Sequence, residues 1–199
     1  MRPDGRTLVS APAVEPVTLA NVLVHLREDN GAQDDLISNS MIPAARRYVE
    51  ARTWRALVTQ TWDFTWRRFP TCREIAVPMP PLQSVTSVSY YDTDNASQTL
   101  SSSKYFVDTS EQPGIIRLIE TETWPETYYG RPAAVTVRAI VGFGDAGTDV
   151  PENYLQAMYL LIGHWYENRE SVVVGTTSAV LQQTVDALLA LDHARAMIG

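Results

Sequence analysis

The chain has 199 residues, of which 45% are hydrophobic and 20% charged, and its formal charge is −7. That length is enough to bury a core in one domain, and the composition is that of an ordinary soluble globular protein. The acidic balance argues against a surface built to grip nucleic acid, which needs a basic face, yet it suits a surface past which DNA slides without sticking.

Cys72 is the single cysteine, which excludes an intrachain disulfide and any cysteine-based metal cluster and points to a reducing compartment. Charged or amide side chains interrupt every apolar run before membrane-spanning length. The first residues carry no long apolar stretch or small-residue cleavage pattern, so no secretion signal is expected.

In chain order, residues 1–16 contain Pro3, Gly5 and Pro12 and follow no period, the pattern of a loose, flexible arm. Thr18 is a good N-cap for a short helix carrying Leu19, Val22, Leu23 and Leu26. After a polar loop with Gly31, a longer helix is expected to about Thr53, with Leu36, Ile37, Met41, Ala44, Tyr48 and Val49 as its inward stripe. Pro43 lies inside it and removes one backbone hydrogen bond, which predicts a kink or short break.

Strict alternation begins at Thr59, with Trp62, Phe64 and Trp66 on one side of a strand that ends near Phe69. Further strands are expected at Ile75–Val77, Ser84–Tyr91, Gln98–Leu100, Tyr105–Asp108, Ile115–Ile119 and Ala133–Val141. Turns at Asp92-Thr93-Asp94-Asn95 and at Glu111-Gln-Pro-Gly separate them. The middle of the chain is therefore an antiparallel unit of about six short strands.

From Val150 to Glu170 the pattern returns to helical. Pro151 suits a first helical turn, and Glu152 complements the dipole. Leu155, Met158, Tyr159, Ile162, Trp165 and Tyr166 repeat along one face, while Tyr154, Leu161, Ala157 and Leu160 form a second stripe. A helix apolar on two faces is either the centre of a core or is held between its own core and a partner. Val172, Val173 and Val174 follow, and such a run in a loop calls for a pairing partner. A last helix is expected from Thr184 to Met197, with Val185, Leu188, Leu189, Leu191 and Ala194 on its apolar side.

Helices, then strands, then helices give an α+β fold. The expected organisation is a helical bundle built from N- and C-terminal helices (17–58 and 150–199), with the β unit (59–149) inserted between them, all one domain.

The residues that could carry chemistry do not converge. His25, His164 and His193 lack zinc-ligand spacing with one another or with Cys72. There is no nucleophile elbow, phosphate loop or dinucleotide fingerprint, and Gly142-Phe-Gly-Asp reads as a turn. Asp92, Asp94 and Asn95 lack the glycine and distant glutamate of a calcium loop. No catalytic residue, cofactor site or metal site is assigned, and the chain is read as a non-enzyme.

Fifteen arginines against a single lysine, with Arg46, Arg47, Arg52 and Arg55 around the end of the second helix, fit either a solvated helix end or an interface. The candidate interface with a neighbouring subunit or docking partner comprises Tyr154, Leu161, Trp165, Tyr166, Arg169, Val172, Val173, Val174, Arg46 and Arg47. Within it, Trp165 and Tyr166 are expected to support the core, and Tyr154, Leu161 and the valines to meet a neighbour. A sequence-independent DNA-binding module and a small-ligand enzyme remain the competing classes.

Several blocks together resemble the head–tail connector (adaptor) proteins of tailed bacteriophages and of phage-derived gene transfer agents. They are Pro16-Val-Thr-Leu-Ala with His25-Leu-Arg, Ala44-Ala-Arg-Arg-Tyr-Val-Glu, Leu57-Val-Thr-Gln-Thr-Trp and Pro80-Pro-Leu-Gln-Ser-Val-Thr-Ser-Val. Gly130-Arg-Pro-Ala-Ala-Val-Thr-Val-Arg, Gly142-Phe-Gly-Asp and His164-Trp-Tyr-Glu-Asn-Arg-Glu-Ser-Val-Val-Val-Gly complete the series across Pro16 to Gly175. The resemblance implies a structural virion protein that forms a ring, commonly twelvefold, beneath the portal protein. Such a ring leads towards a stopper or tail-completion protein and continues the DNA channel without sequence-specific binding. It implies no catalysis, no cofactor and no membrane, and assembly of the particle in the host cytoplasm.

Overall fold

A computed structural model describes residues 2–29, 31–168 and 177–191, with only the backbone course for 177–180. The fold is α+β, and the described residues fall into two compact units. One takes residues 1–13 and 59–143, the other 14–58 and 144–193.

The first unit holds eight strands among the described residues: β1 (Gly5–Ser10), β2 (Gln60–Trp66), β3 (Glu74–Ala76), β4 (Leu82–Tyr91), β5 (Ser97–Thr99), β6 (Tyr105–Asp108), β7 (Ile115–Leu118) and β8 (Val135–Val141). They form a five-stranded sheet in the order β1-β2-β8-β4-β5 and a three-stranded sheet in the order β3-β7-β6, with every pair antiparallel. Alternation did its work in the central strands. Phe64 and Trp66 of β2 and Val135, Val137, Ala139 and Val141 of β8 point to one side and are buried, as are Ile75, Ile116 and Leu118 of the smaller sheet. Trp62 lies on the same face of β2 but is half-buried, its ring under the guanidinium of Arg6 at 5.3 Å. The Asp92 turn joins β4 to β5. Its carboxylate accepts from the Ala96 and Asp94 amides and from Gln98 Nε2, and these bonds hold it below the ordinary carboxylate range.

β1 corrects the expectation of a loose N-terminal arm. Gly5 pairs with Thr65, Arg6 with Phe64 and Leu8 with Trp62, and the register slips between Leu8 and Ser10. That bulge breaks the alternation, and the strand's side chains are largely exposed, so no apolar period marks it. With β1, the seven strand segments read from the sequence become eight among the described residues.

The second unit is helical. α1 (Leu19–Leu26) starts as expected, with Thr18 Oγ1 accepting from the Asn21 amide at 3.2 Å. The long second helix runs as α2 (Asp34–Leu36), a π-helical turn (Ile37–Met41) and α3 (Ile42–Thr53). The break expected at Pro43 is thus a widened turn just before it, in which the Ile42 amide reaches back to the Ile37 carbonyl. The extra residue in that turn rotates the helix beyond it. Ile42, Ala45 and Val49 are buried, whereas Ala44 and Leu36 are exposed and Tyr48 is half-buried, so the expected stripe is one position out of phase after the proline.

α4 (Glu152–Glu167) packs against α1, α3 and α5 (Thr177–Ala190). α5 begins earlier than expected because its apolar period extends backward from Val185 and Leu189, both buried. Leu191 is exposed, and Ala194 and Met197 lie outside the described residues. No described helix is long and apolar enough to cross a membrane.

The entry to α4 is set by a close backbone approach. A Cβ at Gly147, in the 3-10 turn Gly147–Asp149, would run into the carbonyl of Pro16. Neither backbone segment can yield cheaply, so Gly147→Ala should destabilise the helical unit by about 1–3 kcal/mol, measured by denaturant unfolding.

Candidate assembly surface

α4 is apolar on most of its circumference, and tertiary packing chooses its inward side. Tyr154, Ala157, Met158, Leu161 and Ile162, at i, i+3, i+4, i+7 and i+8, are the buried residues of the helix. This face lies astride the two expected stripes, taking Tyr154, Ala157 and Leu161 from the weaker and Met158 and Ile162 from the stronger. The assignment of Tyr154 and Leu161 to a neighbour is therefore corrected: they are 0% and 6% exposed within this chain. Large residues all round leave the phase of the helix undetermined, and small Ala157 marks the side where neighbours can come closest.

The remaining apolar side chains sit on the flanks. Leu155, Leu160, Trp165 and Tyr166 are half-buried. Tyr159 stacks on His25 of α1, ring centroids 5.3 Å apart, which gives that histidine a packing role. His164 is half-buried near the helix end; its carbonyl accepts from the Asn168 amide at 2.9 Å. Arg169 and Val172, Val173 and Val174 lie outside the described residues, as does His193.

The arginine group disperses. Arg46 is 7% exposed and donates Nε to Glu15 Oε2 at 2.8 Å and Nη1 to Glu50 Oε2 at 3.0 Å. Glu50 Oε1 in turn accepts from the Leu57 amide at 3.1 Å. Burial pulls the Arg46 guanidinium down, but the hydrogen bonds and charges of Glu15 and Glu50 outweigh it and hold the group above its ordinary value. Arg46 is thus an internal tie, which corrects its assignment to the interface. Arg52 forks onto Asp186 of α5 at 3.0 and 3.1 Å, and Arg55 is buried. Arg47 stays on the exposed face.

Exposed apolar side chains appear where periodicity gave no hint of them. Trp54 closes α3 in the left-handed region, at φ 57, and is 55% exposed. Tyr129 is 98% exposed on the loop before β8, beside Tyr128 at 42%, and Phe106 on edge strand β6 is 65% exposed. Among the described residues no group of three His, Cys, Asp or Glu could hold a metal ion.

No protein-family model matches this chain, and no curated protein matches it. Solved structures do. The chain is similar to one in the neck of an empty GTA particle computed with C6 symmetry, at 20% identity and a TM-score of 0.78, covering 98% of both chains. It is also similar to a chain in the virion of a native gene transfer agent (GTA) particle, at 21% identity and a TM-score of 0.76, again over 98% of both. A chain in the neck of a native GTA particle computed with C12 symmetry matches at 19% identity and a TM-score of 0.70, over 97% of this chain and 98% of that one. At these identities the likeness establishes the fold.

The Arg46 tie carries its own expectation. Arg46→Ala leaves the buried Glu50 carboxylate without its cation and the half-buried Glu15 without its partner, which costs about 3 kcal/mol. Denaturant unfolding should read that loss, whereas Arg47→Ala, on the exposed face, should change stability by less than about 0.5 kcal/mol.

Proposed function

We propose that this chain is a structural, non-catalytic protein of the neck of a phage-like particle, where copies of it form a ring between portal and tail. The observation that carries the reading is the likeness over 98% of both chains to a neck chain of a gene transfer agent particle. Neck structures with sixfold and twelvefold symmetry support a ring of identical copies, commonly twelve. In this reading the ring sits beneath the portal protein, meets a stopper or tail-completion protein on its far side, and assembles in the host cytoplasm.

A closed ring needs two different surfaces on each copy, one given and one received. The half-buried Trp165 and Tyr166, exposed Arg47, and Arg169 with Val172 to Val174 supply candidate contacts to a neighbour or the portal. Each large side chain that becomes fully covered contributes about 1.5–3 kcal/mol, so a handful holds a ring together once a platform organises it. The helical part is then a bundle of N- and C-terminal helices with the β unit as its insertion. The charge of −7 suits a channel wall along which DNA passes without being held.

Imaging of particles that carry this chain tests the proposal. A symmetric ring of the chain between capsid and tail is expected. Val173→Asp is expected to leave the monomer folded by circular dichroism and to remove the ring. A neck lacking this chain, or a normal neck with Val173→Asp, overturns the reading.

A further inference from the structure

β1 is held by backbone far more than by its side chains. Among the described residues it pairs with β2 and with no other strand, and Arg6 to Ser10 are exposed, Leu8 and Val9 at 43% and 44%. Its remaining attachments are few. The Asp4 amide donates to the Thr65 carbonyl at 2.8 Å, the Asp4 carboxylate accepts from the Arg67 amide at 2.7 Å, and Arg6 Nη1 donates to Met79 Sδ at 3.1 Å. A ladder of this kind joins main-chain groups, so the same strand of another copy forms it equally well.

The chain beyond residue 14 is fixed by contrast. Glu15 is bonded to Arg46, Pro16 and Val17 are buried, and the Pro16 carbonyl lies where a Cβ at Gly147 would have to be. No helix or strand lies between Ser10 and Leu19, and Ala11, Ala13 and Val14 are exposed. Pro12 locks its own φ and presses Ala11 towards extended backbone, as Pro16 does to Glu15. A short connection stiffened by proline, leading to a strand with little side-chain burial, is the anatomy of an exchangeable arm. β2 makes a covering strand necessary. Its seven residues pair with β8 along one edge, and the other edge would stand open without β1.

We infer that in the assembled ring β1 of each copy pairs with β2 of the next copy, so that residues 11–14 cross from subunit to subunit. This rests on the ring reading and specifies how neighbouring copies are tied. Each copy gives an arm and receives one at a different surface, so a closed ring leaves no β2 edge bare. In dilute solution a chain keeps its own arm, because tethering raises that arm's effective concentration above any other's. In the ring the neighbour's arm is held close as well, and exchange links the copies while every ladder bond is kept.

Gly5 and Thr65 are partners in the register, and a Cβ at Gly5 would lie 3.0 Å from Thr65 Oγ1, so a cysteine pair there is within disulfide reach. The test produces two full chains together, one with Gly5→Cys and the other with Thr65→Cys, both also carrying Cys72→Ser. Neither can form the linkage by itself. Oxidised particles are expected to yield linked pairs on a non-reducing gel, and a chain with both cysteines is expected to yield ladders of many linked copies. The same double variant as a dilute monomer should close the linkage within one chain. p-Benzoylphenylalanine at position 8, an exposed site opposite Trp62, gives a second readout without cysteines. Irradiated particles should then show cross-links from position 8 to residues 60–66 of another copy, assigned by mass spectrometry of mixed isotope-labelled and unlabelled chains. Particles that show the ring but link only within one chain, or whose position 8 reaches no β2 of another copy, overturn the exchange and leave the neck reading intact. Particles without a ring of this chain overturn both.

Discussion

Within the helical unit, Arg46 ties the segment at Glu15 to the end of α3 and the segment at Leu57. Glu15 follows β1 by a few residues, and Leu57 precedes β2 by a few; Arg46 binds Glu15 and Glu50, and Glu50 binds the Leu57 amide. β1 and β2 are also neighbours in the larger sheet. The chain at Glu15 and the end of α3 therefore share one guanidinium bonded to two carboxylates. The cation could not be buried there without them, and Glu50 could not be buried without the cation.

α4 illustrates how packing chooses among the apolar faces of one helix. Five of its side chains are enclosed by the chain, and Leu155, Leu160, Trp165 and Tyr166 remain half-covered. Monomeric proteins do expose scattered apolar residues, so no one of these is diagnostic. The fully enclosed Tyr154 narrows the available surface to the flanks and the last turn.

Pro43 shows a local constraint propagating. Proline removes a backbone donor and crowds the preceding turn, and the helix answers with a π turn rather than a break. The residues after it face inward one position later than an unbroken period predicts, which brings Arg46 and Glu50 to the inside beside Ala45 and Val49. Without that rotation the positions of the inner arginine and of Arg47 on the exposed side would be differently shared out.

The amino-acid order alone determined the elements whose physics is local. Thr18 capped its helix, alternation located the central strands, and the Asp92 turn joined β4 to β5, because each depends on residues within a few positions. Tertiary structure decided the rest. β1 became a strand only because β2 offered it an edge, and the inward side of α4 was chosen by helices distant in sequence. The π turn faces Arg46 inward, and a carboxylate 31 positions away pairs with it there, as no helical pattern could announce. Periodicity reports which side chains prefer to leave water, whereas long-range packing selects which of them the chain can cover by itself.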